Sequence, residues 1–235
     1  MKSRNQSIVS AKKLEKKHGF GSCIPTRWTV VILCALTNGL SYTMRTNLNL
    51  TIVAMVKKTN TTHFETCLAP GQSLEQTQDE VEGDFEWSES MQGVILGAYY
   101  YGYIVTNCFG GQMADWVGAR WLVGASVLSS GALTLLMPVC AKWSEYTVII
   151  VRILTGLVQG VLTPSLYTML AYWVPLQERG FALALVQVGG NIGAVVTAPL
   201  SSSLSQHGFA GGWPSVFYVL GIMGCLAFLP WIYQI

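Results

Sequence analysis

Six stretches of the chain read as apolar runs separated by short polar joins, at about 28–56, 90–113, 121–140, 146–172, 180–203 and 213–234. Each supplies the ~20 mainly apolar residues that a helix needs to cross the hydrocarbon layer of a bilayer. The first opens at Arg27–Trp28, a basic and aromatic pair suited to the headgroup region. The third finishes around Pro138 and Cys140, where the proline is expected to end it. The join between the fifth and sixth runs carries no formal charge, but its glycine cluster and Trp213 favour a turn over one long helix. The pattern predicts an all-α integral membrane protein with six transmembrane helices. It divides into a basic tail over 1–27 and a six-helix transmembrane half-domain over 28–235, with one long loop at about 57–89.

Composition sharpens this. Charged residues make up 11% and hydrophobic residues 51% of the 235, against the ~25% charge of ordinary globular domains. Most of the charges lie in the first twenty residues and in 57–89. That excludes a disordered chain, collagen, a coiled coil and an ordinary soluble enzyme. A formal net charge of +2 gives no basis for a nucleic-acid partner.

Orientation follows from lysine and arginine near the ends of the spans. With the N-terminus cytosolic, that side holds seven basic residues of the tail plus Arg120 and Arg179, while the other holds Lys57, Lys58 and Lys142. The long loop is then external or lumenal, where Asn60-Thr61-Thr62 forms a glycosylation sequon at Asn60. The tail lacks a signal-peptide core of ~7–15 apolar residues, so the first span is expected to act as an uncleaved anchor. Of the six cysteines, only Cys67 and Cys140 can meet on an oxidising side, and spacing does not fix a bridge.

A charge inside a span suggests function, and there are two: Arg45 in the first and Arg152 in the fourth. At 1.5 Å per residue both sit ~10–16 Å inside the external boundary. No acidic residue lies in either span to neutralise them. A planar guanidinium grips carboxylate or phosphate through two parallel hydrogen bonds, so both are candidates to hold a passing anion. The alternative is that each snorkels or bonds backbone carbonyls as structural glue. Gln159 follows Arg152 by two helical turns and shares its face; it is a substrate contact or an interhelical hydrogen bond. Tyr99, Tyr100, Tyr101 and Tyr103 must point several ways, so any one can line a pocket. Asn47 and Asn49 beside Arg45, with Gln187 and Asn191, can face a water-filled path. Gly189, Gly190 and Gly193 suit close helix packing, and Pro164 and Pro199 can kink their spans. Catalytic triads and paired carboxylates are absent. The three histidines are scattered through tail and loops, suggesting no metal, and there is no phosphate-binding loop of an ATP-driven pump.

The join between the second and third spans reads Gly110-Gly111-Gln112-Met113-Ala114-Asp115-Trp116-Val117-Gly118-Ala119-Arg120. It resembles the signature loop of the major facilitator superfamily at Gly111, Ala114, Asp115, Gly118 and Arg120, and departs from it at Met113 and Trp116. A carboxylate and a guanidinium flanking that turn can hold one gating state. Tyr42 to Leu48 (YTMRTNL), Gly97 to Thr106 (GAYYYGYIVT), and Arg152, Gly156, Gln159, Gly160 and Pro164 resemble solute carrier family 17. So do Trp173-Val174-Pro175 with Glu178-Arg179, and Trp213-Pro214 with Val216-Phe217-Tyr218.

The resemblance implies the N-terminal half of a facilitator fold, with no enzymatic activity. It implies carriage of small organic or inorganic anions, with Arg45, Tyr103, Arg152 and Gln159 as substrate-binding residues and Gly111, Asp115, Gly118 and Arg120 as the gating loop. Proton-coupled members carry Glu where this chain has Gln159, so the expectation is sodium-linked uptake of phosphate or organic anions, with no cofactor beyond a possible coupling Na+. A proton-coupled carrier of sialic acid or acidic amino acids is the alternative, as is a non-transporting half that pairs with or regulates a full carrier. The partners implied are an anionic substrate, the bilayer, and a C-terminal half or second chain. The membrane is plasma, lysosomal or vesicular.

Overall fold

A computed structural model describes residues 26–57, 83–207 and 212–233. Residues 1–25 of the basic tail, Asn60 and Cys67 lie outside the described residues, while Thr26 and Arg27 already belong to the first helix and Cys140 is buried with a free thiol. Eight helices are described: α1 (Thr26–Met55), α2 (Glu89–Val117), α3 (Ala119–Trp143), α4 (Glu145–Gly160), α5 (Leu162–Trp173), α6 (Leu176–His207), α7 (Pro214–Leu226) and α8 (Leu229–Tyr233). The α4–α5 pair forms one rod and α7–α8 another, giving six helical rods.

Four of these rods, namely α3, α4–α5, α6 and α7–α8, are long and apolar enough to cross a membrane on length and composition alone. The other two, α1 and α2, have 30 and 29 residues. They are long enough to span but less apolar; α1 carries the buried polar side chains Thr37, Asn38, Ser41, Thr43, Asn47 and Thr51.

Helix ends follow local chemistry. Ser88 and Ser144 cap α2 and α4, their hydroxyls accepting from the amides of Met91 and Tyr146 at 3.3 Å each. The expected stop at Pro138 does not occur: α3 continues through it to Trp143. A proline within a helix removes one intrahelical hydrogen bond, and the packed surroundings of Pro138 outweigh that loss. Pro199 likewise lies inside an unbroken α6. Of these three prolines, Pro164 alone lies beside a break, three residues after Val161 between α4 and α5. Helix α2 runs on to Val117, so the expected loop of eleven residues shrinks to Gly118. Its φ of 96° is a conformation that side-chain-bearing residues resist, and its amide returns to the Ala114 carbonyl at 3.1 Å.

The main packing pairs are α1 with α6, α2 with α4, and α3 with α7. Each has a glycine seam. A methyl added at Gly39, Gly189 or Gly193 would strike the backbone of the facing helix, and the same is true at Gly102, Gly156 and Gly160 between α2 and α4. Gly131 meets Gly221 and Cys225 in the same way. In lipid, where apolar faces gain nothing by avoiding water, such close backbone approach is a main source of association.

Two apolar cores result. One gathers Val30, Cys34, Val123, Leu166 and Trp231, and the other Leu48, Ile52, Ile95, Met137 and Phe217. Between them, along the bundle axis, lies a layer of buried polar side chains that includes Ser130, Thr134, Arg152, Thr155 and Gln159. At the Met55 end, Val56 and Phe85 pair through their backbones, and the Trp213 indole donates to Asp84 Oδ2 at 2.7 Å. Phe85 stacks on Trp87 and meets Trp213 edge-on.

Candidate functional site

Arg45 projects from the middle of α1 into a cage of tyrosines. Its guanidinium carbon lies 5.7 Å from the ring centre of Tyr42, 5.1 Å from Tyr99, 4.9 Å from Tyr100 and 5.2 Å from Tyr103. Tyr42 precedes Arg45 by one turn, while the other three stand on α2, where Tyr99 and Tyr103 share a face at helical spacing. The faces of these rings are electron-rich and stabilise a cation by about 0.5–2 kcal/mol each. That lets a guanidinium remain at this depth without a carboxylate. Arg45 forms no ion pair among the described residues, and it is half-buried rather than sealed.

Tyr99 is the inner wall of the cage. Its side chain is buried, and its hydroxyl donates to Gln159 Oε1 on α4 at 2.9 Å. The close approach that permits this bond comes from Gly156 and Gly160, which rest against the backbones of Tyr99 and Tyr103. The Gln159 Nε2 is buried without a hydrogen-bond partner. On the far side, Gln187 on α6 donates to the Tyr42 hydroxyl at 3.4 Å and accepts from Tyr167 at 3.3 Å, extending the polar lining to α5 and α6.

Arg152 shares the face of α4 with Gln159, as the two-turn spacing predicts, and is 3% exposed. It does not join the tyrosine cage. It borders a cavity of about 10 Å³ lined by Met44, Thr134, Met137, Thr155 and Phe217, and its Nε lacks a hydrogen-bond partner. Equal depth therefore does not make the two arginines a single clamp in this conformation; Tyr99 and Tyr100 are within electrostatic reach of both.

The remaining candidates divide. Asn47 is fully buried, its Oδ1 accepting from Thr51 at 2.9 Å and from Ser201 at 3.5 Å, so it belongs to the α1–α6 seam. Asn49 and Asn191 are exposed. In the signature turn, Asp115 is exposed and unpaired among the described residues, while Arg120 donates to the carbonyls of Trp231 at 3.1 Å and Ile232 at 2.9 Å. The carboxylate and the guanidinium are thus not bonded to one another. A methyl at Gly111 would meet open space, whereas its neighbour Gly110 packs on Val161 and Pro164.

Sequence reasoning missed Tyr42 and Tyr99 as partners of Arg45. The signal was present in their offsets, three residues before Arg45 and four before Tyr103.

The major facilitator superfamily model matches residues 31–234, nearly the whole described bundle. The chain belongs to the Major Facilitator Superfamily. It is 30% identical to sialin of Homo sapiens over 217 residues, covering 91% of this chain and 43% of that protein. It is 35% identical to a provisionally named inorganic phosphate cotransporter of Drosophila melanogaster over 222 residues, covering 90% and 41%. The chain therefore spans less than half the length of the curated relatives it matches. These relatives are transporters of solute carrier family 17, in agreement with the motifs around Arg45 and Arg152. Among solved structures, a bacterial homologue of the lysosomal transporter Spinster superposes with a TM-score of 0.68 at 16% identity, covering 92% of this chain and 44% of that one. That likeness fixes the fold as half of a facilitator, and the family match makes it a multi-pass membrane protein of a transporter rather than an enzyme family.

Proposed function

We propose that the chain forms the N-terminal half of an anion carrier, in which Arg45 anchors the substrate within the tyrosine cage. The observation that carries this reading is the half-buried guanidinium held by four aromatic rings with no acidic partner among the described residues. Apart from the contact with Tyr100, such a group keeps donors available for a carboxylate or phosphate, which grips them through a planar fork. Transport then follows alternating access, one six-helix half rocking against the other around a site near the bilayer midplane. The polar layer between the two apolar cores, part-way along the bundle, supports that reading.

Sodium-linked uptake of phosphate or organic anions is the favoured activity. It is supported by the similarity to the phosphate cotransporter and by Gln159, an amide that carries no titrating proton. Similarity to sialin supports the second reading, a proton-coupled carrier of sialic acid or acidic amino acids. The test is uptake of phosphate, urate, sialate and glutamate into proteoliposomes holding the carrier complete with its second six-helix half, with and without sodium or a pH gradient. Arg45→Ala is expected to abolish uptake at normal membrane expression, and Arg45→Lys to restore it poorly. Undiminished uptake with alanine removes Arg45 from the substrate site.

A further inference from the structure

A cleft lies away from the tyrosine cage, between the end of α3 and the start of α7, at the end of the bundle opposite the signature turn. Its volume is about 190 Å³, far above the ~10–15 Å³ that holds one water. The two helices touch at Gly131, where a methyl would strike the Gly221 carbonyl and the Cys225 amide. By Pro138, roughly 10 Å further along α3, they have parted, and Pro138, Val139 and Pro214 form apolar walls. Lys142 and Tyr218 are the polar lining side chains, and neither has a hydrogen bond or ion pair among the described residues. No acidic side chain shares the lining, and Glu145 stands outside it in the first turn of α4. Lys142 belongs to the last turn of α3, where the helix dipole favours a cation. That accounts for the lysine but not for the cleft beside it. Trp143 and Tyr146, both exposed, mark headgroup level next to Lys142. Leu136 and Val139 on α3 and Ile222 on α7 are exposed too, an apolar surface suited to acyl chains. The cleft therefore stands where headgroups give way to hydrocarbon.

We propose that this cleft seats the phosphate of an anionic phospholipid, in the leaflet opposite the signature turn. Phosphate oxygens accept hydrogen bonds and carry the negative charge, which matches the Lys142 ammonium as a point charge and the Tyr218 hydroxyl as a neutral donor. The glycerol rests on the rings of Pro138 and Pro214, and the acyl chains descend past Val139, Leu136 and Ile222. A zwitterionic headgroup fits less well, because it brings a second cation toward Lys142 and cancels its own attraction. One lysine near the membrane surface is worth about fivefold in affinity for anionic lipid. A lipid held here braces α3 against α7 where their glycine contact has ended. The site is independent of Arg45 and of the solute carried.

Native mass spectrometry counts bound lipid on the carrier, complete with its second six-helix half and stripped of lipid in detergent. The probes are phosphatidylglycerol, phosphatidylcholine and inorganic phosphate. The first phosphatidylglycerol should bind about fivefold more tightly than the first phosphatidylcholine. Lys142→Ala should abolish that preference and Lys142→Arg should keep it. Val139→Phe leaves the cation in place but fills the cleft with a ring, and should weaken phosphatidylglycerol by about fivefold as well. Both positions are exposed, so the unliganded melting temperature should hardly move. Lys57 lies at the same end of the bundle, paired with Glu86 at 3.4 Å, and Lys57→Ala should leave the preference intact. A wild type without the preference overturns the proposal, as does an unchanged preference in Lys142→Ala. Equal losses from Lys57→Ala and Lys142→Ala would show diffuse surface charge instead of a site. Undiminished binding in Val139→Phe would put the lipid outside the cleft. Displacement of the lipid by inorganic phosphate at matched concentration would assign the cleft to a free anion and overturn the lipid reading.

Discussion

Arg120 donates from Nε to the carbonyl of Trp231 across 3.1 Å, tying the first turn of α3 to the last turn of the sixth span. A second bond, from Nη2 to Ile232, completes the hold at 2.9 Å. Carbonyls at a helix C-terminus are left without intrahelical donors and carry the negative end of the helix dipole, so a guanidinium suits them in both respects. The signature turn thus works here as a strap between spans. Arg120→Ala should destabilise the half-domain by about 1 kcal/mol, since the guanidinium is partly solvated. A melting temperature lower by roughly 2–4 °C in detergent is the expected reading. Asp115→Ala, at an exposed and unpaired position, should leave it unchanged; an equal loss from both substitutions would show that they act together.

The α2–α4 seam gives a second expectation. A methyl at Gly156 meets the Tyr99 backbone, whereas one at Gly93 meets nothing within 4 Å. Gly156→Ala should therefore cost about 1–3 kcal/mol, as overpacking does, and displace Tyr99 from Gln159. Gly93→Ala should be nearly neutral. Comparing the yield of monodisperse protein for the two variants tests this, and equal yields would argue against a tight seam.

The proposed coupling can be tested at Gln159. Its amide does not ionise, so uptake by the complete carrier should follow sodium or membrane voltage and vary by less than about twofold between roughly pH 5.5 and 7.5. Gln159→Glu places an ionisable group beside the Tyr99 hydroxyl and should add a pH dependence. Strong wild-type uptake driven by an acid gradient in sodium-free medium would favour the proton-coupled reading instead.

Topology can be examined without any substrate. Nine basic residues against three predict a cytosolic N-terminus with Asn60 on the opposite side. Endoglycosidase should shift the wild-type band but not that of Asn60→Gln. In sealed vesicles of cytosolic orientation, protease added outside should remove the basic tail. Digestion of the tail from the lumenal side alone would reverse the assignment.

The spans were legible in the sequence because a bilayer demands a long apolar run whatever packs against it. The intramembrane charges were legible too, since Arg45 and Arg152 interrupt such runs. What the sequence carried poorly was azimuth. Rise per residue fixes the height of a side chain along its helix, and that put both arginines forward at similar depth to hold a passing anion. Which neighbour each faces depends on where the backbones touch, at Gly39 and Gly193 for α1 and at Gly102 and Gly156 for α4. Those contacts turn Arg45 toward the tyrosines and Arg152 toward Met137 and Phe217. Proline was misread at Pro138 for a related reason: a local preference of a few kcal/mol yields to tertiary packing.

The amide of Lys57 donates to the carbonyl of Phe85 at 2.9 Å, and the amide of Phe85 to that of Met55 at 3.0 Å. Whatever path the residues between them take, the chain leaves and re-enters the bundle through one stitched doorway, bolted to α7 by the indole of Trp213. The helices consequently sense the two edges of that doorway and not the length of chain beyond it. For a segment whose ends are already joined, doubling its length adds only about 0.6 kcal/mol of closure entropy. An affinity tag or fluorescent reporter spliced between Lys58 and Glu82 should therefore leave the six-helix packing intact, making this the natural port for labelling the carrier from outside.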